Sequence, residues 1–293
     1  MKMMIKKKRW IPLVILLAIV CAILLAGFAY KKYKGILPEE DTSEQADDSV
    51  TEEDKTTSDQ TDTDKEQKQD DMASDMTTEE PAANSHVVVI DPGHQGRGDS
   101  STEPNGPGSS TMKARVTGGT HGTTTGVYEY QLTLVISQQL QAELENRGYT
   151  VYMTRTSHDV NISNAERAQM AANQGADILV RIHANGSDNT SVAGALTMAP
   201  SNSNPYLGKS VISASQTLSR KLVDCFCAAT GAKNQGVMQT DTMSGINWSS
   251  IPVSIVEMGY MTNRTEDLNM ASASYQTKMV QGIANGIDAY YGA

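Results

Sequence analysis

Four side chains in this 293-residue chain stand where an apolar run ends or a helical pattern begins, and their types suit metal-assisted hydrolysis. VVVIDPGHQG delivers His94 after a β-branched run, ILVRIHANGS delivers His183, SIVEMGYMTN delivers Glu257, and GVYEYQLTL opens a helical pattern at Glu129. Two histidines and a glutamate suffice as ligands for a catalytic zinc ion, which keeps a fourth position open for water, and a second glutamate can then serve as base and acid. A plainer reading stands beside each residue. His183 could cap the loop Ala184-Asn185-Gly186, Glu129 could complement a helix N-terminus, and Glu257 could be a strand-end carboxylate facing solvent. The joint placement of all four at element ends is what favours a metal centre.

The elements that must position them alternate between short β-branched runs and longer helical ones, the pattern of an α/β domain with a mixed, mostly parallel central sheet and helices on both faces. Val87 to Ile90 reads as a buried strand that Pro92-Gly93 ends sharply, placing His94 at its carboxyl end, the edge at which open α/β sheets bind ligands. A loop without predicted structure, Gln95 to Gly126, follows, and loops of that length are usually functional. Helical spacing through Leu132, Leu134, Val135, Leu140 and Leu144 stops at Gly148. Thr150 to Thr154 reads as a strand, Ser163-Asn164-Ala165-Glu166 as a capping box, and Asp177 to Ile182 as a strand ending at His183. Beyond them come a strand at Ala193 to Met198, a helix from Ser210 to Thr230 capped by Gly231, a short strand at Gly236 to Gln239, a buried strand at Ile251 to Val256 ending at Glu257, and a helix from Ala273 to Tyr291. In that last helix Met279, Ile283, Ile287 and Tyr290 share an apolar face.

Charge divides the chain into unequal parts. Residues 1–34 carry eight Lys/Arg and no acid, residues 35–85 three Lys against eighteen Asp/Glu, and the rest thirteen Lys/Arg against sixteen Asp/Glu. The net charge of −10 therefore belongs to the middle segment, and with no basic stripe interleaved with aromatics a nucleic-acid partner is not expected. Trp10 to Tyr30 lacks charge for about 20 residues, long enough for a transmembrane anchor, and the basic segment 1–9 before it predicts a cytoplasmic N-terminus with the remainder outside. A cleaved signal peptide, leaving a secreted protein, is the rival reading. Residues 31–85 read as a disordered acidic linker with an r.m.s. span of roughly 40 Å, and 86–293 as the folded domain. Cys21, Cys225 and Cys227 make no disulfide framework, the last two reading as one buried and one half-exposed thiol.

The stretches VVVIDPGHQG, GVYEYQLTL, ILVRIHANGS and SIVEMGYMTN resemble, in order, the four signature stretches of the zinc-dependent N-acetylmuramoyl-L-alanine amidases, and RTSHDVNISNAERAQMAAN resembles the segment that follows the second strand in that family. The resemblance covers about 86–292. It implies that Zn²⁺ is held by His94, Glu129 and His183, that Glu257 is the catalytic glutamate, and that the substrate is the amide joining N-acetylmuramic acid to L-alanine in peptidoglycan. The long Gln95 to Gly126 loop departs from the family pattern. Asp91 is expected to support a ligand histidine, since ligating imidazoles usually donate their second N–H to a carboxylate or carbonyl. His121 is expected to approach substrate, and His86 and His158 to be plain surface residues. The competing functions are another zinc-dependent cell-wall peptidase and a non-catalytic wall-binding regulator on the same fold.

Overall fold

The computed structural model describes residues 85–292, and the expected basic segment 1–9, apolar span 10–30 and acidic linker 31–85 lie outside them, save Ser85. Cys21 is outside them as well. The elements run β1 (Val87–Pro92), β2 (Asp99–Pro104), β3 (Met112–Val116), α1 (Glu129–Asn146), β4 (Thr150–Met153), α2 (Asn164–Asn173), β5 (Ile178–Asn185), β6 (Ala195–Ala199), α3 (Lys209–Thr230), β7 (Asn234–Gln239), α4 (Ser244–Asn247), β8 (Val253–Tyr260), α5 (Arg264–Ala271) and α6 (Ala273–Tyr291).

Six strands form one sheet in the order β4-β1-β5-β8-β6-β7. β4, β1, β5 and β8 run parallel, whereas β6 is antiparallel to β8 and parallel to β7, so direction reverses between β8 and β6. Alternation along β1 sorts side chains between two apolar layers. Val88 and Ile90 join Leu132, Ile136, Leu140, Phe226 and Ile283 of α1, α3 and α6 on one face, while Val89 joins Ala168, Ala171 and Ile246 of α2 and α4 on the other. On the first face α3 and α6 approach closely. A Cβ on Gly282 would meet Phe226 Cα at 2.8 Å and one on Gly286 would meet Leu222 Cα at 2.7 Å, so only hydrogen fits at both positions.

Several expectations shift. Val135, taken as part of the apolar face of α1, is 41% exposed, and the buried row is Leu132, Ile136, Leu140 and Leu144. The capping box is present: Ser163 Oγ accepts from Glu166 N and Glu166 Oε2 accepts from Ser163 N. Gly231 caps α3 at φ 76°. Cys227 is buried and Cys225 intermediate. The Gln95 to Gly126 loop instead holds the hairpin β2–β3, anchored from outside itself: Glu103 Oε1 accepts from Ala165 N at 3.1 Å, Arg115 pairs with Glu166 at 2.8 Å, and Trp248 Nε1 donates to Pro104 O at 2.8 Å.

The membrane location is corrected. Among the described residues no helix is long and apolar enough to cross a membrane. Each long helix is amphipathic, α3 burying Leu218, Leu222 and Phe226 while exposing Arg220, Lys221 and Asp224 to water.

Candidate metal centre

Pro92-Gly93 turns the chain out of β1, and His94 follows at φ 59°, the one left-handed non-glycine residue among those described. That conformation is costly for a side chain with a Cβ, so it persists only where neighbours enforce it. The enforcement is visible. Arg155 donates to Pro92 O and Gly93 O at 3.0 and 2.9 Å, Thr133 Oγ1 donates to Gly93 O at 2.8 Å, and Arg167 donates to His94 O at 3.0 Å. Two buried arginines thus clamp the turn by its carbonyls. Neither was singled out from sequence, although both lie in the stretch Arg155 to Asn173.

Three side chains converge above this turn. His94 Nε2 and His183 Nδ1 each lie 3.1 Å from Glu129 Oε1, and one candidate ligand atom from each residue falls within 4.8 Å of the others. His94 Nδ1 donates to Thr117 O at 2.9 Å, which turns Nε2 toward Glu129. Two imidazole nitrogens and a carboxylate oxygen held this close are the donor types of a three-ligand zinc site, so the donor set itself fits a metal ion. Burial pushes His183 down to about 4 despite its contact with Glu129, keeping that imidazole neutral and able to ligate. Burial alone would raise Glu129, but hydrogen bonds from His183 and His94 outweigh it and hold the carboxyl well below the usual range. Backbone donors fix the same carboxylate, Thr120 N on Oε2 at 2.9 Å and Ala184 N on Oε1 at 3.1 Å.

Glu257 pairs in register with His183 of β5 and with Leu196 of β6. The strand continues past it to Tyr260, so Glu257 is a residue of the strand rather than its end, as His183 is in β5. Burial, and after it the nearby Glu129 charge, push Glu257 up to about 8 against the pull of Arg181. Its Oε2 is buried with no hydrogen-bond partner, and so is His183 Nε2. A cavity of about 550 Å³ opens here, lined by His94, Thr117, Arg181, His183, Met243 and Glu257. A larger one, about 870 Å³, lies off the centre between residues 96–100 and 158–161.

Asp91 departs from its expected role. It is fully buried, accepts from Arg167 at 2.8 Å, from Arg181 at 2.7 Å and from Thr154, and touches neither histidine. The carbonyl of Thr117 takes the part assigned to it. Glycines make room for the rings: a Cβ on Gly93 would clash with the His183 imidazole, and one on Gly119, at φ +78°, would stand 2.8 Å from Glu129 Oε2. His86 and His158 are not isolated surface residues. His86 stacks on Tyr291 at 3.7 Å, and His158 meets Tyr130 edge-on at 5.1 Å.

Comparison with known proteins agrees with this geometry. The family model described as N-acetylmuramoyl-L-alanine amidase matches residues 88–289. The chain is 25% identical over 241 residues to the N-acetylmuramoyl-L-alanine amidase AmiA of Salmonella typhimurium, covering 70% of this chain and 76% of that protein. Among solved structures, the N-acetylmuramyl-L-alanine amidase Ami1 of Mycobacterium smegmatis superposes with a TM-score of 0.64 at 25% identity, over 71% of this chain and 97% of that one. The N-acetylmuramoyl-L-alanine amidase of Clostridium difficile 630 does so with a TM-score of 0.58 at 25% identity, over 72% and 99%. Because the matched segment takes in every strand of the main sheet but the first residue of β1, and all four converging side chains, the chain belongs to the N-acetylmuramoyl-L-alanine amidase family and hydrolyses the muramoyl–alanine amide of peptidoglycan.

Proposed function

We propose that His94, Glu129 and His183 hold a zinc ion and that Glu257 carries the proton transfers of amide hydrolysis. The observation that bears most weight is the gathering of two imidazole nitrogens on one carboxylate oxygen, with a buried carboxyl oxygen of Glu257 beside them that has nothing to bond. A buried polar atom without a partner costs roughly 1–3 kcal/mol, so a fold that retains one at a cavity wall is holding it for a visitor. Bound there, zinc supplies Lewis-acid polarisation of the scissile carbonyl and makes a water acidic enough to attack near neutral pH.

The remaining work falls to the chain. Thr117 O orients the His94 ring, while Thr120 N and Ala184 N hold the Glu129 carboxylate so that it does not swing with each turnover. Glu257 Oε2 takes a proton from the attacking water and passes it to the departing alanine nitrogen. Burial raises the Glu257 carboxyl above the ordinary carboxylate range, which makes its ionised form a stronger base toward that proton. The domain organisation proposed is one catalytic unit over residues 86–293.

Paired variants test the assignment. Glu257→Gln is expected to keep bound zinc and lower kcat by roughly 10²- to 10⁴-fold, the usual worth of a general acid–base group. Glu129→Gln exchanges a charged ligand for a neutral one and should lower zinc content along with activity. Zinc is read by metal analysis of the purified protein, and turnover by the appearance of peptides with free N-terminal alanine and intact glycan. A Glu257→Gln protein that sheds its metal, or cleaves at the wild-type rate, removes Glu257 from the role.

A further inference from the structure

The chain has two Phe and two Trp against eleven Tyr and five His among 293 residues, so a row of neighbouring rings has to be built from Tyr and His. Such a row exists. His121 lies 5.8 Å from Tyr128, Tyr128 stacks on Tyr130 at 5.6 Å with planes 25° apart, and Tyr130 meets His158 at 5.1 Å. His121 and His158 are exposed, Tyr130 is half-buried, and Tyr128 is 51% exposed. Neighbouring exposed rings of this kind are more common at binding surfaces than elsewhere on a protein.

Its position ties it to the reaction. Glu129, whose carboxylate lies 3.1 Å from both histidines, stands between Tyr128 and Tyr130 in the chain. Tyr128 also occupies the position before the first turn of α1, where Ser, Thr, Asp or Asn would serve the backbone, and its side chain makes no capping hydrogen bond. Stability alone would not place a half-exposed phenol there. At its other end the row reaches the cavity of about 870 Å³, whose wall includes His158, Asp159, Asn161, Arg97, Asp99 and Gly96, the last only two residues beyond His94. Burial and the charge of Arg155 lower the pKa of His158, favouring a neutral ring there.

The substrate brings matching chemistry. The scissile amide hangs from a sugar, and the sugar belongs to a polymer of rings whose C–H faces stack on aromatic planes while their hydroxyl and acetamido groups seek hydrogen-bonding partners. A row of rings with ring-to-ring steps of about one sugar width, ending in a polar cavity, meets both needs. We infer that His121, Tyr128, Tyr130 and His158 form a stacking track for the glycan strand of peptidoglycan, with the cavity beside His158 receiving its polar groups. This rests on the reading of the centre in that the amide must lie at His94, Glu129 and His183 for the glycan to pass over the track.

Glycan strands stripped of their stem peptides are the probe, because they contain no scissile bond and report binding without turnover. Wild type should bind them in sedimentation or titration, and Tyr128→Ser with His158→Ala should weaken binding at least about tenfold, the order expected for losing two ring contacts. Tyr128→Phe keeps the ring and should retain the affinity. In turnover, the Ser/Ala variant should lose more kcat/KM on intact peptidoglycan than on a soluble muramoyl-peptide lacking neighbouring sugars. Wild type that fails to bind stripped glycan, or a folded Ser/Ala variant that binds it as well as wild type, overturns the track. A protein that binds stripped glycan yet releases no alanine-ended peptide from intact wall keeps the track and defeats the reading of the centre instead.

Discussion

Two clusters of buried charge lie on β1 and β8, on either side of β5, and are built on opposite principles. Around Asp91 every demand is met: Arg167, Arg181 and Thr154 satisfy both oxygens, and although burial would raise the carboxyl, the two guanidinium groups outweigh it and hold it well below the usual range. Around Glu257 the demand is left open, with one oxygen unpartnered and the carboxyl pushed up to about 8. Arg181 belongs to both, donating to Asp91 while its charge favours the ionised form of Glu257. A closed network fixes backbone, here the carbonyls of the His94 turn, and an open one holds reactivity in reserve.

The sharpest way to break that contrast is to remove each carboxylate charge and compare stabilities. Asp91→Asn leaves two buried guanidinium groups short of their counter-ion, and a loss of about 3–5 kcal/mol is expected from denaturant unfolding. Glu257→Gln, which removes an ionisable group that the fold does not neutralise, should leave unfolding free energy unchanged or raised. Equal destabilisation by the two would show that both clusters serve the fold.

A smaller effect is expected at Gly93, whose carbonyl is held by Arg155 and Thr133 and whose open side faces the His183 ring. The clash of an added methyl with the His183 ring predicts a cost of roughly 1–3 kcal/mol for Gly93→Ala, together with loss of bound metal. Metal retained at wild-type level would mean that the ring has another place to go.

The mildest test is the pH dependence of the metal-free protein, where the signs oppose. Asp91 has a lowered folded pKa, so its contribution is present above its unfolded value, near 3.9, and is lost as pH falls below that. Glu257 has a raised one, so it holds a proton in the folded state that the unfolded chain has released, and its contribution declines as pH rises from about 4.3 toward 8, opposed below about 6.5 by His183, whose folded pKa is lowered. The slope from one such group is at most about 1.4 kcal/mol per pH unit. Glu257→Gln should flatten the neutral side and leave the acid side unchanged.

The parallel strands were legible because buried strands read as unbroken β-branched runs, and the helices because apolar residues recur at helical spacing. The hairpin β2–β3 was not. DSSTEP and MKARV carry neither pattern, and what fixes them, Glu103 on Ala165 N and Arg115 on Glu166, comes from residues some fifty or more positions away. α4 and α5 escaped for the related reason that four and eight residues hold too few turns for a period to show. Within the site, His94, Glu129, His183 and Glu257 come together, although His183 and Glu257 lie inside β5 and β8 and not at the strand ends expected. Asp91 was assigned to the wrong partner, yet a signal existed: Arg181 sits inside the otherwise apolar ILVRIH, and an arginine in a buried strand announces a buried carboxylate. The aromatic row gave no such signal, since His158 reaches Tyr130 only through the fold.

The place of β8 in the sheet also sets a timetable. It lies between β5 and β6 and pairs with both, although it follows β5 by nearly seventy residues in the chain. Until it arrives, β4-β1-β5 and β6-β7 are two separate ribbons with unpaired edges, and such long-range pairing is slow to form. The same late strand carries Glu257. If Glu257 has the role proposed for it, a growing polypeptide acquires its proton carrier only in the step that joins the two ribbons, so a fragment ending before Val253 has neither a whole sheet nor that carboxylate.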